Sequence, residues 1–419
     1  MTAPTLEDAR AAVAAKNYTS AEQLYQQIII SKPLKQHDFS QQEKAIYELG
    51  ELFQSLNDSE KLSALIPQAR DVISSLAKSK AAKTIRSLID LYDKIPESSD
   101  AQITSLKDCI QWSEKEKRSF LAQSLLIRLA TVYFEKKQAY QSSLAIINDL
   151  NRQFKKLDDK SSLVEVQLLE AKVYHSLRNM AKAKAALTSA RTSANAIYCP
   201  TATQAELDNM SGILHAEDKD YKTAFSYFYE AFESYNNSNE ETNAVKVLKY
   251  MLLSKIMLNL IDDVKQILSA KYATKYSSRE IDAMKAVSSA YANRSLKEFQ
   301  EALQVYHTEL SSDIIIKSHF NALYDTLLEQ NLLKVIEPYS VVEISHIAQT
   351  IGLDSKQIEG KLSQMILDQV FYGVLDQGNG WLYVYDEPQT DKSYASGLEL
   401  VGHLSNVVEL LYEKAASLN

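Results

Sequence analysis

Seven histidines and two cysteines are the side chains of this sequence best suited to metal binding or nucleophilic chemistry. The histidines form no His-x-His or His-Glu-x-x-His pair and none is paired with a nearby cysteine, so the spacing of a zinc site is missing. Cys109 and Cys199 have no Cys-x-x-Cys motif, which favours a reducing compartment. We interpret Cys199, which precedes Pro200, as a buried structural cysteine rather than a reactive thiol. The histidines are His37, His175, His215, His307, His319, His346 and His403.

Motifs for phosphate binding and acid–base catalysis are also missing from the sequence. Gly378 and Gly380 belong to a turn between two predicted strands, so no helix N-terminus follows them to bind a phosphate. The acidic pairs at 240–241 and 262–263 stand at predicted helix starts, where the helix dipole favours negative charge. We therefore expect a protein that is not an enzyme and that needs no cofactor and no metal.

The elements that could position functional residues belong to a chain of ordinary globular composition. Its 419 residues are 24% charged and 45% hydrophobic, which is typical of two or three soluble domains. The net charge of −8 argues against a nucleic-acid surface, because phosphate binding needs clustered positive charge. The N-terminus has no apolar run, and the most apolar segment, residues 250–261, contains Lys255. We expect no nucleic-acid partner, no membrane segment, and a location in the cytoplasm and nucleus.

Most of the sequence is a succession of amphipathic helices joined by short polar breaks. An aromatic or apolar residue opens each helix after a break, as Tyr140, Met180, Tyr221 and Ile261 do at spacings of 40, 41 and 40 residues. This period predicts an all-α solenoid of TPR-like helical hairpins that stack on their neighbours. The first 351 residues contain only two glycines, and we expect such hairpins to need few left-handed backbone positions.

The segment from Val335 to Tyr385 has the order helix, short strand, helix, helix and hairpin, which predicts a winged helix with a small β-sheet. Gly352 ends the first of its two central helices in a left-handed conformation, and Asp354 caps the second. Strands are predicted at 371–376 and 381–385, joined by a turn whose glycines supply positive φ. The first central helix buries one apolar face, which consists of Ile344, Ile347, Ala348 and Ile351.

The predicted winged helix is better suited to binding protein than DNA. Its second central helix, residues 355–369, carries two lysines against two acidic residues, so phosphates would find little positive charge. One face of the hairpin must pack on the core, and the other exposes aromatic side chains or a strand edge. An alternative is that both faces are covered within the domain. The candidate interaction residues at the sheet edge are Val341, Val342, Trp381, Tyr383 and Tyr385.

A polar linker with Pro388 separates the hairpin from a final helix, predicted at residues 394–418. Its apolar residues follow a 4-3-4 spacing, which is typical of a coiled-coil-like seam. Val401 and Val408 widen the seam, which favours a helical bundle formed either with its own domain or with helices from other chains. The candidate interaction residues of this helix are Leu400, Leu404, Val407 and Leu411.

A helical solenoid that ends in a winged helix and a terminal helix resembles the PCI-domain proteins, the scaffolds of the proteasome lid, the COP9 signalosome and a translation initiation factor. From about residue 40 to the end, the sequence is similar to the subunit-six family of non-ATPase lid proteins. The stretches that carry this similarity are Ala185–Pro200, Phe225–Glu233, Asn331–Ser340, Lys361–Asp368 and Gly373–Gly380.

The resemblance implies a non-catalytic structural subunit of the proteasome regulatory-particle lid, acting in ubiquitin-dependent protein degradation. The implied partners are other PCI lid subunits, the ATPase ring and the α-ring of the core particle. The alternative is a PCI scaffold of the signalosome type or an RNA-binding one of the translation-factor type. The expected domains are a solenoid at 1–220, a PCI domain at 221–391, with helical repeats at 221–334 and the winged helix at 335–388, and a bundle helix at 392–419.

Overall fold

The chain is mostly helical, with one small antiparallel sheet near its C-terminal end, among the residues that the structure describes. The predicted helical solenoid with a winged helix is therefore confirmed. Two compact units, residues 1–247 and 248–419, can be distinguished by their internal contacts. The finer domain boundaries stay a prediction. The structure, a computed structural model, describes residues 6–15, 17–30, 36–73, 78–95, 98–270, 275–276, 278–311, 313–387 and 392–416.

The first unit is built from consecutive amphipathic helices. The openers Tyr140, Met180 and Tyr221 are the first residues of three of them, so one period corresponds to two helices and their turns. The helices are α1 (Leu6–Ala14), α2 (Tyr18–Ile30), α3 (Gln36–Ser55), α4 (Ser59–Ile73), α5 (Lys78–Leu91), a 3₁₀ helix (Tyr92–Lys94), α6 (Ser99–Lys115), α7 (Ser119–Glu135), α8 (Tyr140–Leu157), α9 (Lys160–Ser176), α10 (Met180–Asn195), α11 (Thr201–Glu217), α12 (Tyr221–Asn237) and α13 (Glu241–Met257), which begins in this unit.

Many turns between these helices contain a residue other than glycine with positive φ. At the end of α9, the N–H of Asn179 donates to the carbonyl of Tyr174 and the N–H of Arg178 to that of His175, both at 2.9 Å. These are the two hydrogen bonds of a Schellman motif, which requires a left-handed residue. The expectation of few left-handed positions is therefore wrong. The positive-φ residues of this unit are Asn57, Lys117, Gln138, Asp158, Arg178, Lys219 and Asn239.

The glycines of the first unit serve close packing inside helices rather than turns. Gly212 lies in α11, where an added Cβ would be 2.6 Å from a ring atom of Phe228 on α12. Gly50 lies in α3, where an added Cβ would be 2.8 Å from Cδ1 of Leu91. Because such distances are shorter than any van der Waals contact, both positions exclude a larger residue unless the neighbour moves.

The second unit contains further helical hairpins followed by the winged helix. Ile261 and Leu296 again begin helices after a turn. Lys249 of α13 is buried and forms ion pairs with Glu280 (3.0 Å) and with Asp313. The elements are α14 (Ile261–Ser269), α15 (Arg279–Ala292), α16 (Leu296–Val305), α17 (His307–Ser311), α18 (Ile314–Ile336), β1 (Val341–Glu343), α19 (Ile344–Ile351), α20 (Ser355–Leu367), β2 (Tyr372–Asp376), β3 (Trp381–Tyr385) and α21 (Lys392–Ala416).

The winged helix has the predicted order of elements, and its sheet has the strand order β1-β3-β2 with both pairs antiparallel. Val342, Leu382 and Leu375 are directly opposite one another, and Leu382 is fully buried beneath the sheet. Gly352 ends α19 with φ of 82°, as predicted. The four apolar residues predicted for the buried face of α19 are all buried. The sheet therefore covers a core formed with α19 and α20.

Two local details of the winged helix differ from the prediction. Asp354 precedes α20 at the capping position, but its side chain accepts no capping hydrogen bond. In the turn between β2 and β3, only Gly380 has positive φ, at 72°. The carboxylate of Asp376 accepts the N–H groups of Gly378 (3.0 Å) and Asn379 (3.3 Å), which holds this turn with a single left-handed glycine.

Candidate protein-interaction surfaces

The side chains with metal-binding or nucleophilic potential lie apart from one another among the residues that the structure describes. The described residues include no group of three or more His, Cys, Asp and Glu side chains that could hold a metal ion. Cys109 is buried and accepts a hydrogen bond from Nη2 of Arg70 at 2.9 Å, while burial raises the pKa of its thiol. Cys199 is only partly buried, so the prediction of a buried cysteine is wrong, although desolvation also raises its pKa. Both thiols are therefore protonated and unactivated at neutral pH.

The described helices include none that is long and apolar enough to cross a lipid bilayer. Candidate recognition surfaces lie on the sheet and on the terminal helix, where the sequence predicts them.

Among the residues that the structure describes, β1 and β2 are the two edge strands of the sheet, because β3 is its central strand. Trp381, Tyr383 and Tyr385 lie on β3, whose backbone is paired on both sides, so they are not edge residues as the sequence analysis expected. Only their side chains can reach another protein. Their role in an interface stays a prediction.

At the β1 edge, backbone groups point away from the sheet. The N–H of Ile344 donates to the carbonyl of Gly380 at 2.9 Å, so β1 bonds to β3 through every second residue. Val342 is therefore bonded to β3, and its side chain is buried. The backbone groups of Val341 and Glu343 face outward, where a further strand could pair with them.

The outer face of the sheet exposes apolar and aromatic side chains. Trp381 is 41% exposed and Tyr385 is 57% exposed, and the rings of Trp381 and Tyr383 pack edge to face at 6.4 Å. Val341 and Val374 are exposed on the same face, opposite Tyr383 in the register. The alternative that both faces are covered within the domain is therefore wrong for the described residues. Sequence reasoning missed Val374, although its pairing with Tyr383 follows from the hairpin turn.

The terminal helix α21 presents the most extended apolar surface. Leu400, Leu404, Val407 and Leu411 are each between 53% and 62% exposed, and the described side chains of this helix are all exposed. At 100° per residue, these four fall on one narrow stripe, which Val401 and Val408 extend on one side. Tyr394, Leu398 and Tyr412 extend it further on that side and Leu410 extends it on the other, so that the apolar face covers about two thirds of the helix circumference. A face of this width fits a bundle of several helices better than a two-stranded coiled coil.

Three known protein-family domains match separate parts of the chain. Residues 2–136 match the 26S proteasome regulatory subunit RPN6 N-terminal domain, residues 286–386 match the PCI domain, and residues 390–416 match the 26S proteasome subunit RPN6 C-terminal helix domain.

Similar proteins include the 26S proteasome regulatory subunit RPN6 of Saccharomyces cerevisiae, which is 58% identical over 99% of this chain and 98% of the relative. The probable 26S proteasome regulatory subunit rpn6 of Schizosaccharomyces pombe is 49% identical over 99% of this chain and 98% of the relative. The 26S proteasome non-ATPase regulatory subunit 11 homolog of Arabidopsis thaliana is 48% identical over 90% of this chain and 89% of the relative.

Proposed function

The chain belongs to the RPN6 family of 26S proteasome regulatory subunits, and from this membership we infer that it is a non-ATPase, structural subunit of the proteasome regulatory-particle lid. The observation that carries this inference is the similarity over 99% of the chain to a relative of nearly the same length. The resemblance to the subunit-six family is therefore confirmed. A signalosome-type or RNA-binding scaffold is not favoured, because the relatives named above are proteasome subunits.

We propose that the protein is non-catalytic and that its winged helix docks against the winged helices of other PCI lid subunits. Val341 and Glu343 offer outward-facing backbone groups at the β1 edge, and such groups can bond to a strand of another chain. Trp381 and Tyr385 supply exposed aromatic area beside this edge. Aromatic residues are enriched in interfaces because they combine a large apolar area with a polar atom.

We further propose that α21 enters a helical bundle shared with other lid subunits. Its apolar side chains remain exposed, so their burial can stabilise an assembly without disrupting packing within the chain. Leucine and valine side chains of this size contribute about 1.5–3 kcal/mol each when they become fully buried. The terminal helix is therefore a docking element, and helices of other lid subunits pack against it in the assembled lid.

For the N-terminal helical unit we propose contacts with the ATPase ring and the α-ring of the core particle. The match to an RPN6 N-terminal domain over residues 2–136 supports a role specific to this family. We propose the cytoplasm and nucleus as its location, in keeping with a proteasome subunit. The solenoid at 1–220, the PCI domain at 221–391 and the bundle helix at 392–419 remain our proposed functional divisions.

The β1 edge can be tested with a matched pair of proline variants. Val341→Pro removes an N–H that faces away from β3, whereas Val342→Pro removes one that the register assigns to the β1–β3 ladder. We expect Val341→Pro to weaken lid incorporation while helix content and thermal unfolding remain close to those of the parent chain. Val342→Pro should disturb the winged helix itself. Normal incorporation of the Val341→Pro variant on a native gel would rule out docking at this edge.

The role of α21 can be tested by truncating the chain after Asp391. The shortened chain should fold, because the described side chains of α21 are exposed, but it should fail to enter the lid. Circular dichroism and thermal unfolding would establish folding, and native gels of reconstituted lid would measure incorporation. Incorporation equal to that of the full chain would rule out the bundle role.

A further inference from the structure

The turn between β2 and β3 contains Asn379 followed by Gly380, which is the one Asn–Gly pair in the sequence. An asparagine before glycine is prone to deamidation, because glycine has no Cβ to hinder the approach of its backbone nitrogen to the asparagine side chain. Residues 377–379 are exposed, so solvent water reaches the turn. Burial therefore does not protect this pair, and protection has to come from its hydrogen bonds.

Deamidation of this pair needs no co-reactant other than water. The backbone nitrogen of Gly380 loses its proton and attacks Cγ of Asn379, so that a carbon–nitrogen bond forms. The bond from Cγ to Nδ2 breaks, and Nδ2 takes up protons and leaves as ammonia. Water then opens the resulting cyclic imide at either of its carbonyl carbons, which leaves aspartate or isoaspartate at position 379. One water is consumed for each ammonia released, and nothing is oxidised or reduced.

Both reacting groups form hydrogen bonds with Asp376. The N–H of Gly380 donates to the main-chain carbonyl of Asp376 at 2.9 Å, and Nδ2 of Asn379 donates to Oδ2 of its carboxylate, also at 2.9 Å. The first bond stabilises the protonated backbone nitrogen, so the nucleophile forms less readily. The second bond opposes rotation of the side-chain amide towards the geometry that attack on Cγ requires.

The carboxylate of Asp376 also holds the backbone of the turn, because it accepts the N–H groups of Gly378 at 3.0 Å and of Asn379 at 3.3 Å. The hydrogen bonds from the side chain and the backbone of Asn379, followed by that from Gly378, lower the pKa of this carboxyl. The group is therefore ionised at neutral pH, and its bonds to the turn are charge-assisted. One side chain thus fixes both the amide that would be lost and the backbone that carries it.

We propose that Asn379 is a site of spontaneous deamidation, and that Asp376 restrains the reaction for as long as the hairpin is folded. The carbonyl of Gly380 accepts the N–H of Ile344 at 2.9 Å, so the turn also supports the end of β1. Isoaspartate adds a carbon atom to the main chain ahead of Gly380, and either product places a further negative charge close to Asp376. Both changes loosen the turn and its bond to Ile344. The reaction is a property of the free chain, so it goes beyond the proposed assembly function and does not depend on it.

Peptide mapping by mass spectrometry of the full chain, incubated at neutral pH, measures the rate at which the amide of Asn379 is lost. The same chain in guanidinium chloride at the same pH gives the rate without the folded turn. We expect the folded chain to react at least about tenfold more slowly, because charge-assisted hydrogen bonds must break before attack. Equal rates in the folded and the denatured chain would overturn the proposal.

Two variants of Asp376 test whether this residue is responsible. In the folded chain, Asp376→Ala should accelerate the reaction about tenfold or more, whereas in guanidinium chloride the variant and the parent chain should react at closely similar rates. Asp376→Asn keeps an oxygen that can accept from Gly378, so its rate should lie between those of the parent and Asp376→Ala, with thermal unfolding as the control for folding.

Asp386→Ala is the matched control for charge, because it removes the same charge from an exposed residue outside the turn. It should change the rate in the folded chain by less than about twofold. Unchanged or lower rates in both folded Asp376 variants would overturn the proposal. Equal acceleration by Asp386→Ala and Asp376→Ala would overturn it as well, since the effect would then come from net charge rather than from the hydrogen bonds.

Discussion

Replacing Leu404 and Leu411 by alanine removes two side chains from the middle of the exposed apolar face of α21. They are 56% and 62% exposed, so somewhat more than half of their burial energy is still available to an assembly. Full burial of one leucine contributes about 1.5–3 kcal/mol, and the exposed parts of both sum to about 2–3.5 kcal/mol. This corresponds to a dissociation constant for the assembly that is about 30- to 400-fold higher.

A competition experiment measures this loss directly. The variant and the parent chain, carrying different tags, compete for incorporation into lid reconstituted from the remaining subunits, and native gels give the ratio. The matched control is Glu409→Ala with Glu413→Ala on the polar side of α21, which should incorporate like the parent chain. In the absence of the other subunits, the leucine variant should unfold at the same temperature as the parent chain, because alanine favours the helix and both leucines are exposed. Equal incorporation of the leucine variant and the parent would refute the reasoning. So would a clear loss of stability in the free chain, which would mean that the helix packs on its own domain.

Three further substitutions test the packing of the helical units by urea or thermal unfolding. Lys219→Gly should stabilise the chain by about 0.5–1 kcal/mol, because Lys219 has φ of 66° and glycine adopts this backbone conformation without strain. Unchanged or lower stability would argue against a strained turn. Gly212→Ala should destabilise the chain by about 1–3 kcal/mol, because the new Cβ overlaps the buried ring of Phe228. An unchanged unfolding midpoint would show that the ring can move aside. Asp313→Asn should lower the free energy of unfolding by about 3 kcal/mol, since the buried Lys249 keeps only Glu280 as a charged partner. A decrease below about 1 kcal/mol would show that the ion pair with Asp313 adds little to stability.

The helices were predictable because their pattern is local. Tyr140, Met180 and Tyr221 begin helices at the predicted period, since each opener follows a polar break and starts an apolar stripe. The winged helix was predictable for the same reason, as Gly352 and the hairpin turn mark boundaries within a few residues of the segments they separate. Local apolar spacing and turn chemistry were therefore sufficient for the elements and their order.

The arrangement of the interaction surfaces was not predictable, because it depends on contacts between distant residues. That β3 is the central strand follows only from its pairing with β1, about forty residues earlier in the sequence. The left-handed turns were missed because residues such as Arg178 and Lys219 carry no signal of positive φ, unlike glycine.

The central claim, that this chain is a structural subunit of the proteasome lid, is tested most directly by its stable partners in cells. The intact chain, tagged at one terminus, is purified under native conditions and its complexes are weighed by native mass spectrometry. We predict one copy of the chain in a complex with the other non-ATPase proteasome subunits, unchanged by nuclease treatment. Recovery of the chain mainly as a monomer, or in a complex that nuclease dissolves, would contradict the account.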